Sequence, residues 1–86
     1  MYYVYVLQSK KDGNFYVGHT ANLLKRIEHH NKGNVESTRN RRPLELIYYE
    51  ACISQKDALH REKYLKTAYG KRYIKDRLKD YLDGVD

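Results

Sequence analysis

Tryptophan is absent, and proline, methionine, phenylalanine and cysteine occur once each. A lone cysteine, Cys52, excludes an internal disulfide and with it the stapled scaffolds of small secreted domains. It stands in alternating, strand-like sequence and reads as a small buried hydrophobe. No apolar run approaches the ~18 residues that a membrane span needs. The opening Met1-Tyr2-Tyr3-Val4-Tyr5-Val6-Leu7 has neither a basic lead nor a signal-length apolar core, so the expected location is the cytoplasm. At 86 residues two separate cores would each bury too little surface, which predicts a single domain over 1–86 with a frayed tail at 83–86.

What the chain does contain is charge and tyrosine. Hydrophobic residues make up 41% and charged residues 33%, which suits a small domain with a modest core and a wet exterior and does not suit a disordered chain. Lys and Arg number 17 against 11 Asp and Glu, a net charge of +6 with a pI near 9.4. The natural partner is therefore a polyanion, nucleic acid ahead of anionic membrane. Ten tyrosines supply rings with a polar tip for core edges, base stacking or proton transfer.

Tyr2 to Ser9 alternates β-branched and aromatic residues, Lys10 to Asn14 interrupts, and Phe15-Tyr16-Val17-Gly18-His19 resumes an extended pattern. This predicts a hairpin. With Asp12-Gly13 as a two-residue loop, Ser9 would pair with Tyr16, Leu7 with Gly18 and Tyr5 with Thr20. Tyr5, Tyr16 and Gly18 then share one face, and the missing side chain at Gly18 leaves a space for a ligand or another backbone. Asn22 is the expected N-cap of a helix carrying Leu23, Leu24 and Ile27, with Gly33 as its stop. At about 100° per residue, Arg26 and His30 fall in the stripe of Leu23 and Ile27, so this apolar face carries two polar groups. Asn34 to Arg42 reads as a polar loop with Arg39, Arg41 and Arg42, and Pro43 opens a third strand from Leu44 to Ile53. Ser54 begins a second helix, its capping box completed by Asp57, with Ala58, Leu59, Leu65 and Tyr69 as its buried stripe. Gly70 is expected to break or bend the chain. A last helix from Lys71 to Leu82 should bury Ile74, Leu78 and Tyr81 or Leu82 and turn Lys71, Arg72, Lys75 and Lys79 outward.

Glu62 lands in the middle of the second helix's apolar stripe, where an ionised carboxylate is costly unless something compensates it. Two readings fit: an internal ion pair with Arg26, Arg61 or Lys66, or a ligand to Mg²⁺, a hard cation that one carboxylate can hold with waters and phosphate oxygens. Arg26 and His30, one turn apart, could face a phosphate or form a solvated helix edge. Tyr5 and Tyr16 could be general acid or base groups or sheet aromatics; a phenol titrates near about 10 and needs nearby cations to work at neutrality. His19 and His60 lack the spacing of a zinc site. Lys and Arg in the connector and last helices could contact phosphates without reading sequence.

Taken together, Tyr3-Val4-Tyr5, Tyr16-Val17-Gly18, Arg26, His30 and Glu62 resemble the GIY-YIG nuclease family, in particular its small single-domain members similar to the amino-terminal catalytic part of the UvrC excision nuclease. The resemblance spans nearly the whole chain. It implies an α+β fold, a three-stranded antiparallel sheet flanked by helices in the order β-β-α-β-α-α, which agrees with the pattern above. It also implies hydrolysis of phosphodiester bonds in DNA, directed by structure more than by sequence, with Mg²⁺ or Mn²⁺ on Glu62, Arg26 on the same phosphate and Tyr5 or Tyr16, helped by His30 or the metal, activating water. Tyr16 is the favoured base. Arg39, Arg41, Arg42 and Lys66 would hold the nucleic acid, and a DNA-repair protein would be a natural partner. The alternative is a non-catalytic nucleic-acid-binding module or an accessory domain of a repair complex. The chain departs from the family pattern at Tyr3, where glycine is expected, and at Val17, where isoleucine is. Downstream of Glu62 many members place an asparagine; here that region offers Ile74 and Lys75.

Overall fold

Alternation of aromatic and β-branched residues along Tyr2–Ser9 gives β1 two apolar faces, and a strand of that kind is stable only between two others. In the computed structural model, which describes residues 1–84, β1 lies at the centre of a three-stranded sheet of order β2-β1-β3, with β2 at Phe15–Thr20 and β3 at Leu44–Cys52. Both pairings are antiparallel. The predicted sheet and its flanking helices are therefore present. Helix α1 spans Leu23–Asn31, α2 Gln55–Leu65, α3 Ala68–Arg77 and α4 Lys79–Leu82, and a 3₁₀ turn covers Arg39–Arg41. Val4 and Val6 pack on one face with Val17, Ala58, Leu65 and Ile74. Tyr5 and Leu7 pack on the other with Leu44 and the α1 residues Leu23 and Ile27. Complete burial of one such aliphatic side chain contributes roughly 1.5–3 kcal/mol.

The hairpin register differs from the expected one by two residues. Tyr5 pairs with Gly18, Leu7 with Tyr16 and Gln8 with Phe15. The cause is a longer turn. The Gly13 N–H donates to the Ser9 carbonyl, the Ser9 N–H donates to the Asn14 carbonyl, and Ser9 Oγ accepts the N–H groups of Lys11 and Asp12. Gly13 takes a φ of 75°, which only glycine adopts readily. A shift by an even number leaves every side chain on its expected face, so Tyr5, Tyr16 and Gly18 still share one.

Asn22 and Ser54 cap α1 and α2 as expected, accepting the N–H groups of Lys25 and Asp57. Two apolar residues assigned to the buried stripe of the second helix are instead exposed, Leu59 at 38% and Tyr69 at 71%, and on α1 Leu24 is 80% exposed. The chain bends at Lys66–Thr67, not at Gly70. Thr67 caps α3 by accepting the Gly70 N–H, and Gly70 is buried where a Cβ would strike the backbone of Tyr64 and Leu65. The glycine therefore permits α3 to fold back closely on α2. The expected last helix is two, parted at Leu78, which serves as C-cap of α3 and N-cap of α4. Ile74 and Leu78 reach the core, whereas Tyr81 is 38% exposed and its hydroxyl donates to Glu45. Of the tail expected to fray, residues 85 and 86 lie outside the described residues. Among the described residues no helix is long and apolar enough to cross a membrane.

At the far edge, Arg61 grips Glu50 through two hydrogen bonds of 2.9 Å each and stacks over Tyr64 and Tyr73. Tyr48 donates to the same carboxylate. This cluster ties α2 and α3 to β3.

Candidate active site

Gly18 is the floor on which the site is built. A Cβ at this position would lie 2.5 Å from Tyr5 Oη, so only glycine lets the Tyr5 ring lie flat across β2. The ring is fully buried, and its hydroxyl meets His30 Nε2 at 2.8 Å. The far nitrogen, His30 Nδ1, meets Thr38 Oγ1 at 2.8 Å, and Thr38 in turn faces the Val35 carbonyl at 3.5 Å. Arg26 Nε donates to the Tyr5 hydroxyl at 3.4 Å. Tyr16 packs against both Tyr5 and His30, with ring centroids 6.4 and 5.1 Å away.

One member of this chain has a fixed polarity, because a guanidinium only donates. The Tyr5 oxygen accepts from Arg26, so its own proton is free to go to His30 Nε2. His30 is then the Nδ1–H tautomer, donating to Thr38, whose hydroxyl turns to the Val35 carbonyl. Every polar atom of the buried chain is thereby used, and among the described residues no buried side-chain nitrogen or oxygen lacks a partner.

The charges agree with that order. Burial, then the Arg26 charge and then His29, lower the His30 imidazole to about 4, so it is neutral at physiological pH. Burial raises the Tyr5 phenol above its ordinary value; the Arg26 hydrogen bond opposes this, and Tyr16 and, weakly, Glu62 add to it. Arg26, bonded to Tyr5 and close to Tyr16, is held above its ordinary value. Tyr16 and Arg26 line an open hollow of about 620 Å³ with Val35, Glu36 and Ser37.

Glu62 sits on α2, which covers the opposite face of the sheet, yet its charge reaches Tyr5 around the β2 edge. Its partners are not Arg26 or Arg61. Oε2 accepts from Lys66 at 2.7 Å, and Oε1 is bonded to His19 Nδ1. Burial alone would raise the Glu62 carboxyl, but Lys66 and His19 outweigh it and hold it below its ordinary value, so it is ionised. Tyr5, Tyr16, Arg26 and His30 are thus one contiguous group, and Glu62 stands beside it within electrostatic range.

The residues expected to hold nucleic acid divide. Arg39 Nε is bonded to the Gly33 carbonyl and Arg42 Nε to the Arg39 carbonyl, so both brace the connector. Arg41 ties the connector to the hairpin through Asp12 and the Phe15 carbonyl. Lys66 lines a hollow beside Tyr16.

His19 and Thr38 were not legible as site residues. His19 carries a signal in hindsight, since it follows Gly18 on the edge strand and so points to the α2 face. Thr38 and Val35 carry none; both are buried in a connector that reads as polar loop.

A UPF0213 protein of Pediococcus pentosaceus is 44% identical over 66 residues, covering 76% of this chain and 68% of that one. One of Bacillus licheniformis is 37% identical across 95% of this chain and 88% of its own. The solution structure of a UPF0213 protein of Bacillus halodurans matches with a TM-score of 0.53 at 33% identity, over 86% of this chain and 82% of that one. The sequence pattern of the GIY-YIG catalytic domain matches residues 1–79, the stretch that carries Tyr5, Tyr16, Arg26, His30 and Glu62, and the chain belongs to the GIY-YIG family.

Proposed function

We propose that this protein is a divalent-metal-dependent endonuclease that hydrolyses phosphodiester bonds in DNA, selecting its target by structure more than by sequence. The observation that carries the reading is the pairing of a half-buried cation, Arg26, with a half-buried phenol, Tyr16, over a fully buried Tyr5–His30–Thr38 chain that fixes their place. Clefts that set pKa values apart in this way are more common at reacting centres than elsewhere.

Glu62 fits a hard cation. It is ionised and partly open, with one oxygen bonded to the Lys66 ammonium and the other to the His19 ring. Among the described residues no group of three or more His, Cys, Asp or Glu could hold a metal by protein ligands alone, so Mg²⁺ or Mn²⁺ would sit on Glu62 together with waters and substrate phosphate oxygens. When bound, such an ion supplies charge neutralisation at the scissile phosphate and stabilises the leaving oxygen. Arg26 grips the same phosphate with charge-assisted hydrogen bonds. Tyr16 orients the attacking water and, when ionised, takes its proton. Tyr5 and His30 have no exposed surface and act as positioning residues: they keep Arg26 aimed and keep a second positive charge away from it, because His30 is neutral.

The test is incubation of the pure protein with flapped, branched and single-stranded DNA, with Mg²⁺, with Mn²⁺ and with chelator. Metal-dependent cleavage should vanish in Glu62→Gln and Arg26→Ala and persist in Lys56→Ala. Cleavage that survives both site substitutions means that this site is not the one responsible. Binding of DNA without cleavage under every metal condition favours the non-catalytic module.

A further inference from the structure

Beside the site, β2 is an edge strand, and the space between it and the α2–α3 corner stays open. Two hollows of about 240 and 510 Å³ lie there and share Phe15 and Lys71. The first begins at Tyr16, is floored by Phe15, Val17 and Ile74, and is rimmed by Lys66 and Lys71. The second runs on past the hairpin turn and adds Arg41 and Lys75. Each is of the order of a small-ligand pocket. No residue lining either one is acidic.

Lys71 and Lys75 stand one helical turn apart on α3, close enough to act along one line. Both are exposed, and among the described residues neither makes an ion pair. Arg41, by contrast, is partly committed to Asp12. The cations therefore form a row beginning beside Tyr16 and Glu62, and an apolar aromatic floor lies next to that row.

We infer that this groove is a track for single-stranded polynucleotide, with Lys71 and Lys75 on successive phosphates and the Phe15 ring against a base. The inference rests on the nuclease reading and extends it to the kind of strand that enters. Lysines alone would suit any polyanion. The aromatic floor narrows the choice, because the bases of a duplex are stacked and paired, whereas a single strand can turn a base onto a ring. A flap or a frayed end is thus the form of DNA that fills the groove and delivers its linkage to Arg26.

Binding measured in chelator separates this from catalysis. The probes are a fluorescein-labelled oligothymidylate and the same strand annealed to its complement, followed by anisotropy across a salt series. Replacing Lys71 and Lys75 together with alanine should lower the slope of log affinity against log salt for the single strand by about 1.4. Phe15→Leu keeps an apolar side chain and should weaken the single strand about fivefold or more while leaving duplex binding unchanged. A control pair, Lys56→Ala with Arg72→Ala, removes equal charge from outside the groove and should leave the slope unchanged. The track is refuted if the control pair lowers the slope as much, or if Phe15→Leu has no effect or affects both probes alike. A protein that cleaves DNA yet shows either refuting result keeps the nuclease reading and loses the track; one that passes yet never cleaves does the reverse.

Discussion

Acid should loosen this protein well before its carboxylates titrate, and the cause should be one residue. His30 has no exposed surface, and its imidazole is lowered from 6.5 to about 4 by burial and by the neighbouring Arg26 and His29 charges. Tyr5 and Tyr16 face it from the sheet and Thr38 from the connector; none of them supplies a negative charge to stabilise the protonated ring. Between pH 6.5 and 4 the unfolded chain binds a proton that the folded one refuses, so His30 leaves stability intact above 6.5 and erodes it as pH falls toward 4. One pKa unit is about 1.4 kcal/mol, so the loss from neutrality down to pH 4.5 is roughly 2–3 kcal/mol. That is a large part of the ~5–15 kcal/mol of a typical domain. The carboxyls of Glu28, Glu45, Glu50 and Glu62 are held below their ordinary 4.5, so their losses set in only as pH falls to about 4.5 and below. Urea unfolding at a series of pH values measures the slope, and His30→Gln should flatten it between 6.5 and 4.5. The ring signal of His30, followed by NMR in the folded wild type, should titrate near 4. A midpoint at or above 6.5, or an unchanged slope in His30→Gln, would refute the reasoning.

Three further outcomes follow from the same geometry. Thr38→Val keeps the shape but leaves the His30 Nδ1–H buried without an acceptor, so urea unfolding should show a loss of about 1–3 kcal/mol, recovered in Thr38→Ser; full stability in Thr38→Val would contradict the assigned tautomer. Gly18→Ala should leave the circular dichroism spectrum intact and lower cleavage about 100-fold, because the new methyl displaces the Tyr5 hydroxyl and the Arg26 that leans on it. Gly70→Ala should do the opposite, weakening the fold by about 1–3 kcal/mol as α3 is pushed off α2, with the catalytic rate per folded molecule preserved.

Much of this was legible in the sequence because the signals are local. Asn22 and Ser54 announce their helices by chemistry confined to three residues, and the alternation in Tyr2–Ser9 needs no knowledge of the partner strand. The hairpin register was not legible, since it depends on Ser9 Oγ capturing two N–H groups in the turn, a competition that a two-residue loop does not include. Leu59 and Tyr69 were misplaced because helical periodicity gives a direction but not the width of the covered face. Glu62 announced its need for compensation and named Lys66, but the second partner, His19, comes from a strand 43 residues earlier and is visible only once the sheet is assembled. Thr38 illustrates the limit most plainly: nothing within the connector distinguishes it until His30 arrives.

The turn at Lys10–Asn14 is also a spacer. It sits beyond the last ladder pair, Gln8 with Phe15, so residues inserted there leave the juxtaposition of Tyr5 with Gly18 undisturbed. The distance along the chain between the two tyrosine-bearing triplets is therefore set by how far the loop wanders, and not by the face they share. Natural lengthening or shortening at that tip should be tolerated, whereas a single deletion within Tyr16-Val17-Gly18 would exchange the two sides of the edge strand and dismantle the assembly outright.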